Sequence, residues 1–395
     1  MATDNVQAQI AMMKAVVETW VKGLSDPAKA QEIVLERLLK GYSQTEYGRN
    51  HKSENVGSYA DYRKAFPVQT YKDFKPYIDK ILAGDTYALL YEEPVCIGLT
   101  KGTTGEPKLF PFTSTQLKSN LGRMMRGMYT YSLTKNNFLW MSGYGLNLTG
   151  SSKVGTIKVG NRELMYGYSS AIQTRLIEEN SKVTQKVIPT QDEIDTIPGE
   201  PSKETWEKRY EFAYQKARDI NVTWSGMTPN VVVGFGRYLL RKHHISPKDI
   251  WKIQVLGSGG FANLYTRFAP PIHALYGKSV DIQDSYVSTE GGYLGLQIDD
   301  KKAWSPFYDQ VFYEVQTING IKPMHEMYPG EIGSLIFSTQ SLPRYRIGDL
   351  ILAFEAPYFQ CIGRENTRLH PYHFGRLTGE SPYNFSKPKD LVSWR

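Results

Sequence analysis

Val95-Cys-Ile-Gly-Leu-Thr-Lys-Gly-Thr-Thr-Gly-Glu-Pro-Lys108 joins a short apolar run to a loop rich in glycine and hydroxyl side chains. The apolar run reads as a strand, and Thr100 to Lys108 as the turn that follows it. A loop of this make-up can aim several backbone N–H groups, and the hydroxyls of Thr100, Thr103 and Thr104, at phosphate oxygens. Gly102 and Gly105 allow the positive φ or close approach that such a cradle requires, and Lys108 adds a point charge. The Walker A pattern is not met, because neither Gly98 nor Gly102 is followed at the required distance by Gly-Lys. Loops of this kind also serve as plain turns, so taken alone the stretch leaves both readings open.

Upstream of it, residues 1 to about 65 read as helical, with strong periodicity over Ile33–Tyr42. Ile10, Met13, Val17, Trp20 and Val21 fall near one face of an amphipathic helix. Downstream, strand-like segments alternate with helical ones: Pro94–Leu99, Asn221–Trp224, Lys252–Leu256, Ser279–Ile282 and Ile332–Ser338. This alternation predicts α/β layers with largely parallel sheets. After about Ala303 short strands and turns dominate, which predicts a small β-rich sub-domain. The expected fold class is therefore α/β, with layered mixed sheets flanked by helices plus that sub-domain. Pro189 to Lys203 is polar and carries Pro198, Gly199 and Pro201, so it reads as a surface loop.

Composition narrows the class. The 395 residues are 41% hydrophobic and 22% charged, as in an ordinary globular chain. Cys96 and Cys361 form no spacing motif and suggest a reducing compartment, with a cytoplasmic location as the default. No apolar run is long enough to span a membrane, and the first residues lack a secretory pattern. The net charge is +7, but lysines and arginines are dispersed rather than gathered on a nucleic-acid module. The charge reads as a solvated surface with a positive field around an anionic small ligand.

Three further motifs bear chemistry. Val255-Leu-Gly-Ser-Gly-Gly-Phe-Ala262 follows a strand-like run, and its Gly257-x-Gly259-x-x-Ala262 fits a loosened dinucleotide fingerprint, with Asp281 and Asp284 near the acidic distance. Pro270-Pro271 interrupts the following helix, and the dinucleotide reading leaves the other motifs without work. Asp284-Ser-Tyr-Val-Ser-Thr-Glu290 brings a carboxylate that could hold Mg2+, a hard cation preferring oxygen. Tyr345-Arg-Ile-Gly-Asp349 brings an aspartate able, at the end of a turn, to accept both ribose hydroxyls. Read singly, Glu290 could equally be a helix N-terminal acid and Asp349 a turn residue.

In this order and at these separations the four motifs resemble the adenylate-forming superfamily of acyl-CoA synthetases and adenylation domains. A closer resemblance, to the auxin-responsive acyl acid–amido synthetases (the Gretchen Hagen family), rests on Tyr71-Lys-Asp-Phe-Lys-Pro-Tyr-Ile78, Tyr286-Val-Ser-Thr-Glu-Gly-Gly-Tyr-Leu-Gly-Leu-Gln297, Val311–Val315 and Arg344–Asp349. It covers about residues 65 to 370.

The resemblance implies ATP and Mg2+ as cofactors and a large-domain fold of the adenylate-forming kind. Thr100, Gly102, Thr103, Thr104 and Lys108 match its phosphate loop, and Gly259, Gly260 and Phe261 its adenine pocket. Tyr286 matches the ring over adenine, Thr289 the α-phosphate contact, Glu290 the Mg2+ ligand and Asp349 the ribose contact. Arg364 matches the arginine opening the hinge, although Asn366 replaces the superfamily's usual acid. Lys108, Thr289 and Glu290 carry the catalytic roles. The segment Trp224–Pro229 is expected to line the acid pocket.

The domain organisation expected is a helical segment over 1–65, an ATP- and acyl-binding large domain over 66–362, and a hinge with a short tail over 363–395. The small closing domain of the family is not expected within that tail: the protein was cut at the hinge, is naturally short, or has its lid supplied by another chain, and slow turnover is anticipated without it. Partners implied are a small carboxylic acid and an amine, amino acid or CoA acceptor, with no nucleic acid and no membrane. The leading function is ATP-dependent activation of the acid for amide ligation. Alternatives are an acyl-CoA ligase of the phenylacetate type and a catalytically weak nucleotide-binding module. His243, His244, His370 and His373 read as solvated or capping residues rather than metal ligands. Arg123 and Arg126 read as surface residues in preference to acyl contacts.

Overall fold

The computed structural model describes residues 2–100, 107–180, 186–197, 199, 202–260 and 264–365. Among these, sixteen strands follow in chain order. The first eight are β1 Pro94–Leu99, β2 Leu109–Thr113, β3 Tyr144–Leu146, β4 Gly155–Val159, β5 Arg162–Tyr168, β6 Val187–Ile188, β7 Val222–Gly226 and β8 Val255–Gly259. The others are β9 Asp281–Ser288, β10 Gly292–Leu296, β11 Ser305–Pro306, β12 Phe312–Thr317, β13 Gly320–Pro323, β14 Ile332–Ser338, β15 Tyr345–Ala353 and β16 Phe359–Arg364. The chain divides into two compact units. The described part of unit 1 is 2–133, 155–166 and 287–365, and that of unit 2 is 134–154 and 167–286.

Unit 1 starts with helices Ala2–Ser25, Pro27–Tyr42, Glu46–Asn50 and Tyr59–Ala65. Met13, Val17 and Trp20 of the first helix are buried as their spacing requires, whereas Val21 is exposed. Trp20 stacks on Phe307 and its indole N–H donates to Pro306 O at 2.8 Å. Helix Tyr71–Ala83 begins where the Thr70 N–H and hydroxyl both donate to Asp73 (2.8 and 2.9 Å), and Phe74, Ile78 and Ile81 face inward.

Two sheets complete unit 1. A four-stranded sheet has the order β2-β1-β5-β4, and a five-stranded sheet the order β13-β12-β14-β15-β16. Strands β4 and β5 are joined by Gly160-Asn161, with Gly160 at φ +57°, the left-handed conformation a two-residue hairpin demands. The five-stranded sheet is the β-rich part expected after Ala303.

Unit 2 is built on a parallel sheet with the order β6-β3-β7-β8-β9. Helices Lys203–Ala217, Pro229–His243 and Ala269–Tyr276 supply its core, including Trp206, Tyr210, Phe235, Leu239 and Ile272. Pro270 and Pro271 lie in the first turn of the last helix, where a missing N–H costs nothing; they open a helix rather than break one.

Two expectations need correction. The parallel strand pairs whose register is recorded lie in unit 2, whereas hairpins such as β4–β5, β12–β13 and β1–β2 make unit 1 pair largely antiparallel. The stretch read as a loop, Pro189–Lys203, contains helix Gln191–Asp195. Thr190 and Glu193 form a capping box that starts it, and Gln191 and Ile194 are fully buried.

Candidate active site

Strands β1 and β2 form a hairpin whose ladder reaches Leu99 opposite Leu109. One step further, Thr100 N–H donates to Lys108 O and Lys108 N–H donates to Thr100 Oγ1, each at 3.1 Å. Thr100 and Lys108 thus clasp the base of the glycine-rich loop. Gly102, Thr103 and Thr104 lie outside the described residues. Tyr71, on the helix ahead of the hairpin, braces this base. Leu109 N–H donates to its Oη at 3.1 Å, and its ring centroid lies 5.3 Å from Lys108 Nζ.

Lys108 Nζ stands 3.8 Å from Glu290 Oε1. Glu290 occupies the turn between β9 and β10, after Thr289, and is not at a helix N-terminus. Burial pushes its carboxyl above the usual carboxylate range; its own backbone N–H, Lys108 and Arg364 oppose that shift, and Asp349 adds to it. Tyr345, 1% exposed, lies beside Glu290, and burial first and that carboxylate second hold its phenol well above the ordinary range.

Asp349 is buried in the middle of β15 and is not the turn residue its sequence allowed. Residues 345, 347, 349, 351 and 353 alternate inward along this strand, which puts Asp349 on the same face as Tyr345. Opposite Asp349 in register on β16 is Arg364, with Nη1 2.6 Å from Asp349 Oδ1. Unit 1 therefore gathers Lys108, Glu290, Asp349 and Arg364 into one charged cluster, with Thr100 at the adjoining loop base and Thr289 next to Glu290 in the chain.

Gly259, Gly260 and Tyr286 belong to unit 2. Gly259 ends β8 opposite Ser285 of β9, Gly260 follows at φ +80°, and Tyr286 on β9 is 5% exposed. Phe261 lies outside the described residues. The Trp224–Pro229 segment leaves the end of β7, where Met227 N–H donates to Gly257 O at 3.0 Å and Ser258 Oγ to Met227 O at 3.0 Å. These groups share the carboxyl edge of the parallel sheet, where open α/β sheets commonly bind ligands.

Arg123 and Arg126, read as surface residues, are both buried. Arg126 forks onto Asp309 (3.0 and 2.6 Å), and Arg123 Nη2 donates to Gly291 O at 3.1 Å. Partners distant in sequence, not solvent, take both guanidinium groups. His243 Nε2 lies 2.8 Å from Glu211 Oε2, and His244 caps its helix at φ +58°. His370 and His373 lie outside the described residues. Sequence reasoning gave no role to Tyr71 or Tyr345, although each opens one of the quoted motifs.

This architecture is the fold of the adenylate-forming enzymes. An AtGH3.15 acyl acid amido synthetase in complex with 2,4-DB superposes with a TM-score of 0.72 at 18% identity, covering 89% of this chain and 70% of that one. A 2-hydroxyisobutyryl-CoA ligase in complex with 2-HIB-AMP gives 0.57 at 14% identity, covering 85% and 68%. In sequence, residues 18–202 match the GH3 family N-terminal domain.

Jasmonoyl–L-amino acid synthetase JAR4 of Nicotiana attenuata is 33% identical over 112 residues, which are 27% of this chain and 19% of that protein. Indole-3-acetic acid-amido synthetase GH3.15 of Arabidopsis thaliana is 37% identical over 93 residues, 23% and 16% of the two chains. The matched segment spans about a fifth of the length of these curated relatives. Segments of the chain are thus similar in sequence to GH3 acyl acid amido synthetases, in line with the resemblance of the motifs. Among the described residues no helix is long and apolar enough to cross a membrane.

Proposed function

We propose that this chain binds ATP and a small carboxylic acid, converts the acid to acyl-AMP, and passes the acyl group to an amine or amino acid. The observation that carries this reading is the unit 1 cluster. Lys108 at the base of a glycine-rich loop faces Glu290 at 3.8 Å, beside the Asp349–Arg364 pair. In the first step a carboxylate oxygen bonds to the α-phosphorus as the bond to pyrophosphate breaks. In the second, the acceptor nitrogen bonds to the acyl carbon and AMP leaves with the electron pair.

No protein nucleophile is required, so positioning and charge neutralisation do the work. Lys108 would steady the phosphate charge, Thr100 would hold the loop in register, and Thr289 would meet the α-phosphate. Asp349 would accept the ribose hydroxyls, with Arg364 fixing its carboxylate. By the resemblance of the motifs, Gly259, Gly260, Phe261 and Tyr286 would receive adenine, and Trp224–Pro229 the acid.

Mg2+ fits Glu290. Burial penalises this carboxylate when ionised, and a hard cation held by one protein carboxylate, phosphate oxygens and water would relieve that penalty. When bound, the ion supplies charge neutralisation to the leaving pyrophosphate. Amide ligation is favoured over thioester formation by the sequence relatives, whose names are those of amido and amino acid synthetases. A cytoplasmic location agrees with Cys96 and Cys361, both free thiols.

Acid-dependent pyrophosphate exchange, run across aromatic and aliphatic acids, tests the first step. Amino acids, hydroxylamine and CoA supplied as acceptors test the second. Exchange with some acid, followed by amide product, is expected. ATP binding without exchange for any acid would overturn the adenylation reading, and product with CoA alone would overturn the amide one.

A further inference from the structure

We propose that Asn120 and Arg123 are positioning residues that set the Glu290 turn against the strand bearing the Lys108 end of the glycine-rich loop. The proposal rests on the reading of Glu290 given above. Both side chains come from helix Ser114–Lys135, which follows β2 without a break. They are three residues apart and so share one face of the helix.

Their partners lie immediately after Glu290. Arg123 Nη2 donates to Gly291 O at 3.1 Å, and Asn120 Oδ1 accepts the Tyr293 N–H at 2.8 Å. The residue between, Gly292, has φ +67°, and a Cβ there would sit 2.1 Å from Asn120 Oδ1. From the other side, Gly291 N–H donates to Ser288 Oγ at 2.9 Å. The turn is thus gripped on both flanks of a glycine at which any side chain would be strained and would displace Asn120. Gly127, one turn further along the helix, leaves room for Leu296 of β10, whose side chain would stand 2.8 Å from a Cβ at that position.

A purely structural account of Arg123 is weak. The residue is 4% exposed, its Nε has no hydrogen-bond partner among the described residues, and the nearby Asp309 is taken by Arg126. Burying a cation this way is costly, and an apolar side chain would pack the helix at lower cost. What the guanidinium makes is the bond to Gly291 O and a place over the Phe307 ring, whose centroid is 6.0 Å away; of these only the first reaches the Glu290 turn. One rigid helix therefore links the strand that starts beside Lys108 to the turn that carries Glu290, fixing the spacing between the two groups.

The test uses the full chain and measures ATP affinity by calorimetry with and without Mg2+, with AMP affinity and thermal midpoint alongside. Asn120→Leu removes the acceptor, Asn120→Asp keeps it, and Arg123→Met removes the cation. Because Asn120 is partly exposed, its variants keep the assay informative even if Arg123→Met fails to fold. Asn120→Leu should weaken the Mg2+-dependent part of ATP binding about tenfold to a hundredfold, as loss of an outer-shell partner commonly does. AMP affinity should be unchanged, and Asn120→Asp should restore the metal-dependent part. Equal losses for AMP and Mg2+–ATP, or a folded Asn120→Leu that binds like the native chain, would overturn the proposal. Glu290→Gln separates the two levels: if it leaves the metal-dependent part intact, the reading of Glu290 falls and the proposal with it. If Glu290→Gln abolishes that part and Asn120→Leu does not, only the positioning role falls.

Discussion

Arg364 and Asp349 stand directly opposite each other on β16 and β15, with Nη1 2.6 Å from Oδ1. Their exposures differ sharply: the Arg364 side chain is 53% exposed and that of Asp349 10%. The arginine can swing away into solvent, whereas the aspartate cannot. Asp349 is the fixed member of the pair.

Asp349→Asn should therefore leave the fold intact and weaken nucleotide binding. Two lost charge-assisted contacts to ribose would cost about 1.5–3 kcal/mol each at most, roughly tenfold or more in Kd. Arg364→Gln should change stability by only about 0–1 kcal/mol, as for other half-exposed pairs. Calorimetric titration with AMP, beside denaturant unfolding of both variants, reads the two effects separately.

Lys108→Met should slow acid-dependent pyrophosphate exchange by about a hundredfold to a thousandfold, the range for removing one preorganised charge or donor. Tyr71→Phe keeps the ring under the ammonium and loses the bond from Leu109 N–H. It should fall between Lys108→Met and the native chain. An exchange rate equal to native for Lys108→Met would remove this residue from the site.

Arg344 and Glu314 form a pair that is 3% and 0% exposed, with two bonds at 2.8 Å, and Arg344 Nη1 also reaches Phe66 O at 2.6 Å. Arg344 sits at φ +46° just ahead of β15, a strained setting held by these contacts. Glu314→Ala leaves a buried cation unpaired and should cost about 3–5 kcal/mol. The double variant Glu314→Ala/Arg344→Met should recover part of that loss in urea unfolding.

Asp195 of unit 2 gives a pH signature. Burial raises its pKa, but bonds from Ser152, Arg175 and Gln191 outweigh that and hold it below the usual range. A folded pKa below the unfolded value means that the stabilisation is complete above the unfolded pKa, about 3.9, and is lost as pH falls through the folded one. Asp195→Asn should thus be less stable by about 1–3 kcal/mol at pH 7. The gap to the native chain should close on acidification, as urea midpoints measured from pH 7 downward would show.

Local signals carried some elements fully. Pro94–Leu99 and Ile332–Ser338 begin and end as strands where the apolar runs and flanking turns place them. The order of the motifs led to the right fold class. What could not be read was pairing at a distance. Arg126 finds Asp309 across 183 residues, so nothing near Arg126 marks it as buried. Asp349 looks like a turn residue after Gly348 until β16 is laid beside it. Helix Gln191–Asp195, opened by the Thr190–Glu193 capping box, was missed because Pro198, Gly199 and Pro201 carried the loop reading. Whether strands run parallel depends on the connections between them, which composition alone does not reveal.

The discontinuity of unit 1 has a consequence for synthesis of the chain. Trp20 bonds to a carbonyl 286 residues later, Gln31 to one 280 residues later, and Tyr42 to one 297 residues later. Made from its N-terminus at about 5–20 residues per second, the chain leaves these helices without their partners for roughly 15 to 60 seconds. Most of unit 2 is contiguous from residue 167 to 286 and can close on itself during that interval. These helices are thus made well before they are covered, and their apolar faces are natural clients for a chaperone at the ribosome.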